Sequence, residues 1–255
     1  TTLLLAWQAG YFMNVSPGET GFGMYRMNLL ALFDSSGFDA RNWSFLFSLP
    51  WVRGNNNYEG FVYLGLGLIL VLAISLPMMA RYREKLSKLL RDHVFIFLCL
   101  ICLTLFALSN NIGIGPWTFS IPLTPKLFSI ASILRASARM FWPVFYVIAI
   151  AGIYFLIRGY SRKIAITVLA IGLTIQVLDT SGAWLEIKNK INHPGAQPVS
   201  SLSDPFWVDA AKHYNKVVRV PVWNEQAIWE KFANYAAQYQ LGTNSVFMGR
   251  VDQQK

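Results

Sequence analysis

Hydrophobic and polar positions are spread very unevenly along this chain. Four stretches are almost wholly apolar: Gly60–Met79, Val94–Ser109, Phe141–Ile157 and Ile164–Leu178. A bilayer core takes roughly 20 apolar residues as a helix, with a lower limit near 17. Gly60–Met79 meets that length, and flanking residues complete the other three. Thr1–Phe12 reads as the second half of a further membrane helix ending at Trp7 and Tyr11, so the sequence is expected to start partway through a longer protein. After Asp179 the pattern becomes that of an ordinary soluble protein. Asp204-Pro205 opens a helix through about Tyr214, and Lys216–Val222 is a β-rich run. Asn224 caps a second helix in which Ile228, Trp229, Phe232, Tyr235, Ala236 and Tyr239 keep helical spacing, with Gly242 as its stop and Ser245–Val251 as a further strand. Strand, helix and strand in that order predict a right-handed parallel unit. The expected fold is an α-helical integral membrane protein with about four complete transmembrane helices and an N-terminal stub, residues 1–181. A small extramembrane α/β segment, residues 182–255, follows and would need further chain to complete a core.

Charge fixes an orientation for these spans. The net charge is +9, a balance that in a soluble protein would suggest nucleic acid as partner. Here the basic residues concentrate in two short loops: Arg81, Arg83, Lys85, Lys88 and Arg91 in one, Arg158, Arg162 and Lys163 in the other. Two spans separate the loops, so both lie on one face, and the positive-inside rule makes that face cytoplasmic. Residues 13–58 and 110–140 then become long outer loops, and everything after Asp179 is outside. Met24–Phe33 is expected to be an interfacial helix of the first loop, followed by the turn-rich Asp34–Asn42. In the second loop Thr124 is an N-cap and Pro125 the first helical residue. Leu127, Ala131, Leu134 and Ala138 make one face of that helix, and Ser132, Arg135 and Arg139 make another. It reads as an amphipathic helix at the membrane surface.

Candidate chemistry gathers on the outer face. Arg135 and Arg139 form a stripe suited to a phosphate, because guanidinium groups bind phosphate oxygens in pairs; snorkelling anchors are the plainer reading. Glu59 stands at the outer end of a span, where Arg53 is its expected partner, and Asp179 ends the last span at the same depth. Trp51, with Trp43, Trp117, Trp142 and Trp184, offers faces for sugar rings, although an interfacial aromatic belt accounts for most of these. Cys99 and Cys102 are the only cysteines and read as small buried hydrophobes within a span. No P-loop, GxGxxG, HExxH or Cys/His metal spacing occurs, and no nucleophile–base pair follows from spacing.

Several phrases together resemble a family. They are Gly21-Phe22-Gly23-Met24-Tyr25, Met27-Asn28-Leu29-Leu30, Tyr58-Glu59-Gly60-Phe61 with Tyr63-Leu64-Gly65, Leu134-Arg135-Ala136-Ser137-Ala138-Arg139-Met140-Phe141-Trp142-Pro143 and Asp179-Thr180-Ser181. In the tail they are Phe232-Ala233-Asn234-Tyr235-Ala236-Ala237 and Thr243-Asn244. The chain resembles the C-terminal half of a bacterial polytopic membrane family of unknown function grouped with the glycosyltransferase-C-like enzymes. The resemblance implies an inner-membrane, multi-pass enzyme that moves a sugar from a polyprenyl-phosphate carrier to a glycan or envelope acceptor on the outer face. Its catalytic acid would belong to a first outer loop that this sequence lacks, as would any divalent cation. On this reading Arg135 and Arg139 hold the carrier phosphate, and Glu59, Arg53, Trp51 and Asp179 shape the sugar and acceptor pocket. Two other classes stay open. One is a transporter or flippase for a lipid-linked glycan, against which stands the scarcity of ionisable groups inside the spans. The other is a non-catalytic scaffold whose outer tail binds an envelope partner.

Overall fold

A computed structural model describes residues 2–8, 21–36, 42–49, 59–192, 202, 204–221 and 229–247. The chain forms two compact units, one of residues 19–188 and one of residues 1–18 with 189–255. Helix α1 is Thr2–Gln8. The larger unit is mostly helical, with α2 at Leu66–Arg81, α3 at Arg83–Asp92 and α4 at Val94–Leu108. A hairpin of β1, Asn111–Ile114, and β2, Trp117–Ser120, follows. Then come α5, Pro125–Ser132, a 3-10 turn at Ser137–Phe141, α6 at Trp142–Gly159 and α7 at Arg162–Asp179. Helix α8, Ser181–Asn192, continues the chain toward the tail.

Among the described residues one helix is long and apolar enough to cross a membrane: the 3-10 turn and α6 together, Ser137–Gly159, 23 residues. Two bent pairs meet the same requirement jointly, α2 with α3 at 86° and α7 with α8 at 46°, which makes up to three spans. Helix α4 is apolar throughout but has 15 residues, roughly 23 Å of helix against a core of about 30 Å. Composition therefore supports a membrane-spanning region, at a coarser count than four. Cys99 and Cys102 are free and lie exposed on α4, contrary to the buried placement expected, because α4 buries only Ala107 and Leu108 at its end.

Helix α2 is the centre of the bundle and packs on both α6 and α7. Its buried residues Gly67, Val71 and Ser75 recur every fourth position, so they form one stripe. Glycine lets the backbones approach: a Cβ at Gly67 would overlap the Gly172 carbonyl oxygen of α7, and one at Gly152 of α6 would meet Leu72. Small residues at such crossings supply the close van der Waals contact that holds helices together where the surroundings are equally apolar. Val71, Leu156 and Ala165 fill the space below. The ends of α2 and α6 meet at Tyr82, whose hydroxyl donates to the Arg158 carbonyl at 3.3 Å. The two basic loops thus share one end of the bundle.

Several expected elements differ. Helix α2 starts at Leu66 rather than Gly60. The chain before it is extended, with the Leu64 N–H donating to the Leu32 carbonyl at 3.0 Å and Gly65 at φ 81°. Met24–Phe33 is a series of turns, not a helix. Gly23 takes φ 86°, and Asn28 diverts its side chain to the Leu30 N–H. The hairpin was not foreseen; it turns at Gly115-Pro116, with Gly115 at φ 56°. Helix α5 begins as read, the Thr124 hydroxyl accepting from the Leu127 N–H at 3.4 Å, but ends at Ser132.

The tail follows the predicted α-β-α-β order with shorter strands. It comprises α9 at Pro205–His213, β3 at Lys216–Val217, α10 at Trp229–Tyr239 and β4 at Gly242–Thr243. The strands are parallel, Lys216 opposite Gly242 and Val217 opposite Thr243. The second strand therefore precedes the predicted Ser245–Val251. Helix α10 stops at Gln240, not at Gly242: Gln240 takes φ 55° and the Leu241 N–H reaches the Ala236 carbonyl at 2.8 Å. The proposed cap Asn224 lies outside the described residues. Asn244 pairs with the backbone of Arg219 through both its amide atoms, at 2.8 and 3.0 Å.

The packing of α2 on α7 yields a test. Gly67→Ala forces a methyl group into a rigid backbone carbonyl and should cost about 1–3 kcal/mol. Gly172→Ala meets first the Val71 side chain at 3.0 Å and should cost less. Thermal unfolding of both variants in detergent measures the difference, and equal losses would contradict this packing.

Candidate functional site

The end of the bundle opposite the basic loops is closed by the chain around Gly21–Ser36. This segment has little regular structure, so its backbone groups must find partners elsewhere. The Met27 N–H donates to the Ala107 carbonyl at the end of α4 at 2.8 Å, and the Leu29 N–H to the Gly113 carbonyl at 2.8 Å. Buried Asn28 bonds both sides of the hairpin turn residue Gly115, Nδ2 to its carbonyl at 2.9 Å and Oδ1 from its N–H at 3.0 Å. Buried Arg26 donates to the Asn111 carbonyl at 2.6 Å and the Thr118 hydroxyl at 2.7 Å. Burial lowers its pKa, because the charged form loses hydration. Met27, Ala31, Val62, Ala107, Leu108, Ala138 and Phe141 form the apolar core beneath.

Tyr25, which the sequence marks only as the end of the phrase Gly21–Tyr25, organises the arginine segment. Its carbonyl accepts from the Ala138 N–H at 3.0 Å and the Ser137 hydroxyl at 3.1 Å. Its hydroxyl accepts from Arg135 Nη2 at 3.2 Å, and the guanidinium lies 5.3 Å over its ring. The break after α5, with Ala136 at φ −93° and ψ 72°, means that Ser132, Arg135 and Arg139 do not share one helical face. Arg139 instead belongs to the 3-10 turn that leads into α6. It holds Glu59 through two parallel bonds, Nε to Oε2 at 2.7 Å and Nη2 to Oε1 at 2.6 Å. Glu59 therefore pairs with Arg139; its expected partner Arg53, like Trp51, lies outside the described residues. The Arg139 side chain stays 51% exposed while that of Glu59 is 19% exposed, so the cation is the accessible member of the pair.

Asp179 is completely buried. Its carboxylate accepts from the Ser44 hydroxyl, from the Tyr63 hydroxyl at 2.8 Å and from the Leu66 N–H at 3.0 Å. One turn earlier Gln176 accepts from the Leu68 N–H at 3.1 Å and donates to the Leu64 carbonyl at 3.1 Å. Leu66 and Leu68 are the first and third residues of α2, whose own N-cap Gly65 has no side chain to offer. Two residues of α7 thus cap α2 from outside. In this arrangement Asp179 orders the site from within its wall. The signal for Gln176 was available: it is a lone amide in an apolar run, three residues before the acid.

An open apolar groove of about 300 Å³ runs between α4 and α6, lined by Leu100, Thr104 and Leu105 on one side and Val144 and Val147 on the other. Arg139 lies five residues before Val144 in the chain. Arg139 thus stands in the turn that leads into α6, the helix forming one wall of the groove. Among the described residues no cluster of three or more His, Cys, Asp or Glu is arranged to hold a metal ion.

Comparison with known families gives two matches. A family model described as a domain of unknown function, DUF6311, covers residues 1–181, and the model of the DUF6311 C-terminal domain covers residues 206–255. No curated protein and no solved structure matches the chain.

Buried Asp34 supplies a test of how this end of the bundle is balanced. Burial raises its pKa more than the bond from Ser36 lowers it. A carboxyl with a raised folded pKa contributes stability below its unfolded value and loses it as pH rises through the folded value. Asp34→Asn keeps an oxygen for the Ser36 N–H, 3.0 Å away, and removes the buried charge. The variant is expected to be at least as stable as the parent at pH 7. Its advantage should shrink as pH falls toward about 4, the ordinary carboxylate range. Denaturant titrations across that range measure it, and a large loss at pH 7 would show that the charge itself is needed.

Proposed function

The chain belongs to the DUF6311 family, and from that premise we propose that it forms the lipid-facing and acceptor-facing part of a membrane glycosyltransferase. The donor is a sugar on a polyprenyl-phosphate carrier, and the acceptor is a glycan or other envelope component on the outer face. The observation that supports the reading is the head of α6: the half-exposed Arg139 stands in the turn that leads into this helix, and Val144 and Val147 of the same helix line an apolar groove. A polyprenyl phosphate has that same composition, an anionic head on a long apolar tail. The groove accepts isoprene units, and Arg139 exchanges its carboxylate partner for phosphate oxygens, which guanidinium binds in the same bidentate manner. Arg135, steadied by Tyr25, adds a second positive charge.

In the transfer an acceptor hydroxyl oxygen bonds the anomeric carbon as the bond from that carbon to the carrier phosphate breaks. The electron pair leaves with the phosphate, where the two arginines stabilise it. The acceptor proton passes to a general base, a role the family resemblance gives to a carboxylate of a first outer loop. Glu59 lies beside the leaving phosphate and adjusts Arg139, while Asp179 keeps the start of α2 in register behind them. The topology that goes with this reading has α2, α4, Ser137–Gly159 and α7 each crossing the bacterial inner membrane. The basic loops then face the cytoplasm and the tail the outside.

Arg135→Gln with Arg139→Gln should lower transfer from a labelled polyprenyl-phosphate sugar by at least about a hundredfold, the scale of losing charge stabilisation at a reacting centre. The protein should remain inserted and folded. Full transfer in the double variant would sink the phosphate role. Movement of a lipid-linked glycan across the vesicle membrane without any glycosidic product would favour the flippase instead.

A further inference from the structure

Helix α3 is a segment that the proposed activity does not use. It has the sequence Arg-Glu-Lys-Leu-Ser-Lys-Leu-Leu-Arg-Asp, and none of its residues is buried. Leu86, Leu89 and Leu90 stand at i, i+3 and i+4, so they make one narrow apolar stripe. Leu89 and Leu90 are 48% and 39% exposed. The opposite arc carries Glu84, Lys88, Arg91 and Asp92, and Arg83 and Lys85 flank the stripe on either side, where long cationic side chains reach from an apolar surface to water. Six charged residues in ten keep α3 out of a hydrocarbon core. Its axis turns 86° from that of α2, so when α2 stands along the membrane normal α3 lies in the membrane plane. The turn is braced at Tyr82, which donates to the Arg158 carbonyl at 3.3 Å and carries Lys85 Nζ 5.4 Å over its ring.

We propose that α3 is an in-plane interfacial helix that inserts its leucine stripe among acyl chains and binds anionic phospholipid headgroups through Arg83 and Lys85, which flank that stripe. This rests on the membrane reading above and adds to it a lipid partner on the face away from the candidate site. Charge selects the occupant. Four basic against two acidic side chains on the helix, with Arg81 two residues before its start, complement a leaflet rich in anionic lipid. An apolar stripe with a basic polar face is the pattern of helices that lie on such surfaces.

The test uses the full chain with Cys99→Ser and Cys102→Ser, a nitroxide at Leu86→Cys or at Lys88→Cys, and vesicles of phosphatidylcholine with or without phosphatidylglycerol. The two positions lie about 200° apart on the helix. Flotation first establishes incorporation. In anionic vesicles the label at position 86 should collide with oxygen and be shielded from a water-soluble nickel complex, with the reverse at position 88. That contrast should weaken without phosphatidylglycerol, or when Arg83→Gln and Lys85→Gln accompany either label. Vesicle-bound protein with equal water access at both positions overturns the proposal and leaves the membrane reading intact. Protein that does not float overturns both. A contrast indifferent to lipid charge removes the anionic headgroup as partner, and spin–spin broadening between labels on separate chains gives the stripe to a second copy; either result overturns the proposal.

Discussion

Helix α2 begins in mid-chain with amide hydrogens that its own residues cannot satisfy, and this shortage governs the architecture around it. Gly65 supplies the backbone conformation that starts the helix but no capping oxygen. The oxygens come from α7, through Asp179 to Leu66 and Gln176 to Leu68. In apolar surroundings an unpaired amide costs several kcal/mol, so the two helices are obliged to start and finish at the same level. Once they do, Gly67 lies against Gly172 and the rest of the crossing follows. The same carboxylate binds Ser44 and Tyr63, so the connection extends into the chain that closes this end of the bundle.

The arrangement gives separate duties to the residues that a sequence reading groups together as charged groups near a membrane edge. Asp179 is an internal acceptor whose hydrogen bonds are all to neutral donors. Glu59 and Arg139 are a charge pair at the boundary, more open on the arginine side. Arg135 is fixed by an aromatic face and a phenol oxygen. Asp179 is suited to holding geometry constant, and the Glu59–Arg139 pair to exchanging a partner, because a half-exposed ion pair is held by only a small margin over its solvated components.

Legibility in the sequence followed the range of the interactions involved. The apolar helices α4, α6 and α7 and the cap at Thr124 could be read, since each depends on spacing within a few residues, and the parallel tail could be read from the order strand, helix, strand. The start of α2 could not, because its position is decided by Gln176 and Asp179 more than 100 residues away. The turns at Met24–Phe33 were missed for the same reason: Asn28 and Arg26 spend their hydrogen bonds on the hairpin rather than on their own segment. The hairpin itself had a local signal in Gly115-Pro116 that was obscured by reading 110–140 as a single loop. Of the candidate site, the residue types and the side of the bundle were legible. Which cation meets which anion was not, because the 3-10 turn rotates Arg139 away from the direction an unbroken helix would give it.

The wide sequence separation within the cap imposes an order in time. Arg26 waits for Asn111, 85 residues later, and Ser44 waits for Asp179, 135 residues later. During synthesis the segment around Gly21–Ser36 is therefore delivered long before the groups that bind it exist. Its partners arrive with α4, the hairpin and the 3-10 turn, whereas Ser44 and Tyr63 wait for Asp179 at the end of α7. Asp179, at the end of α7, is thus the last of these partners to be synthesised.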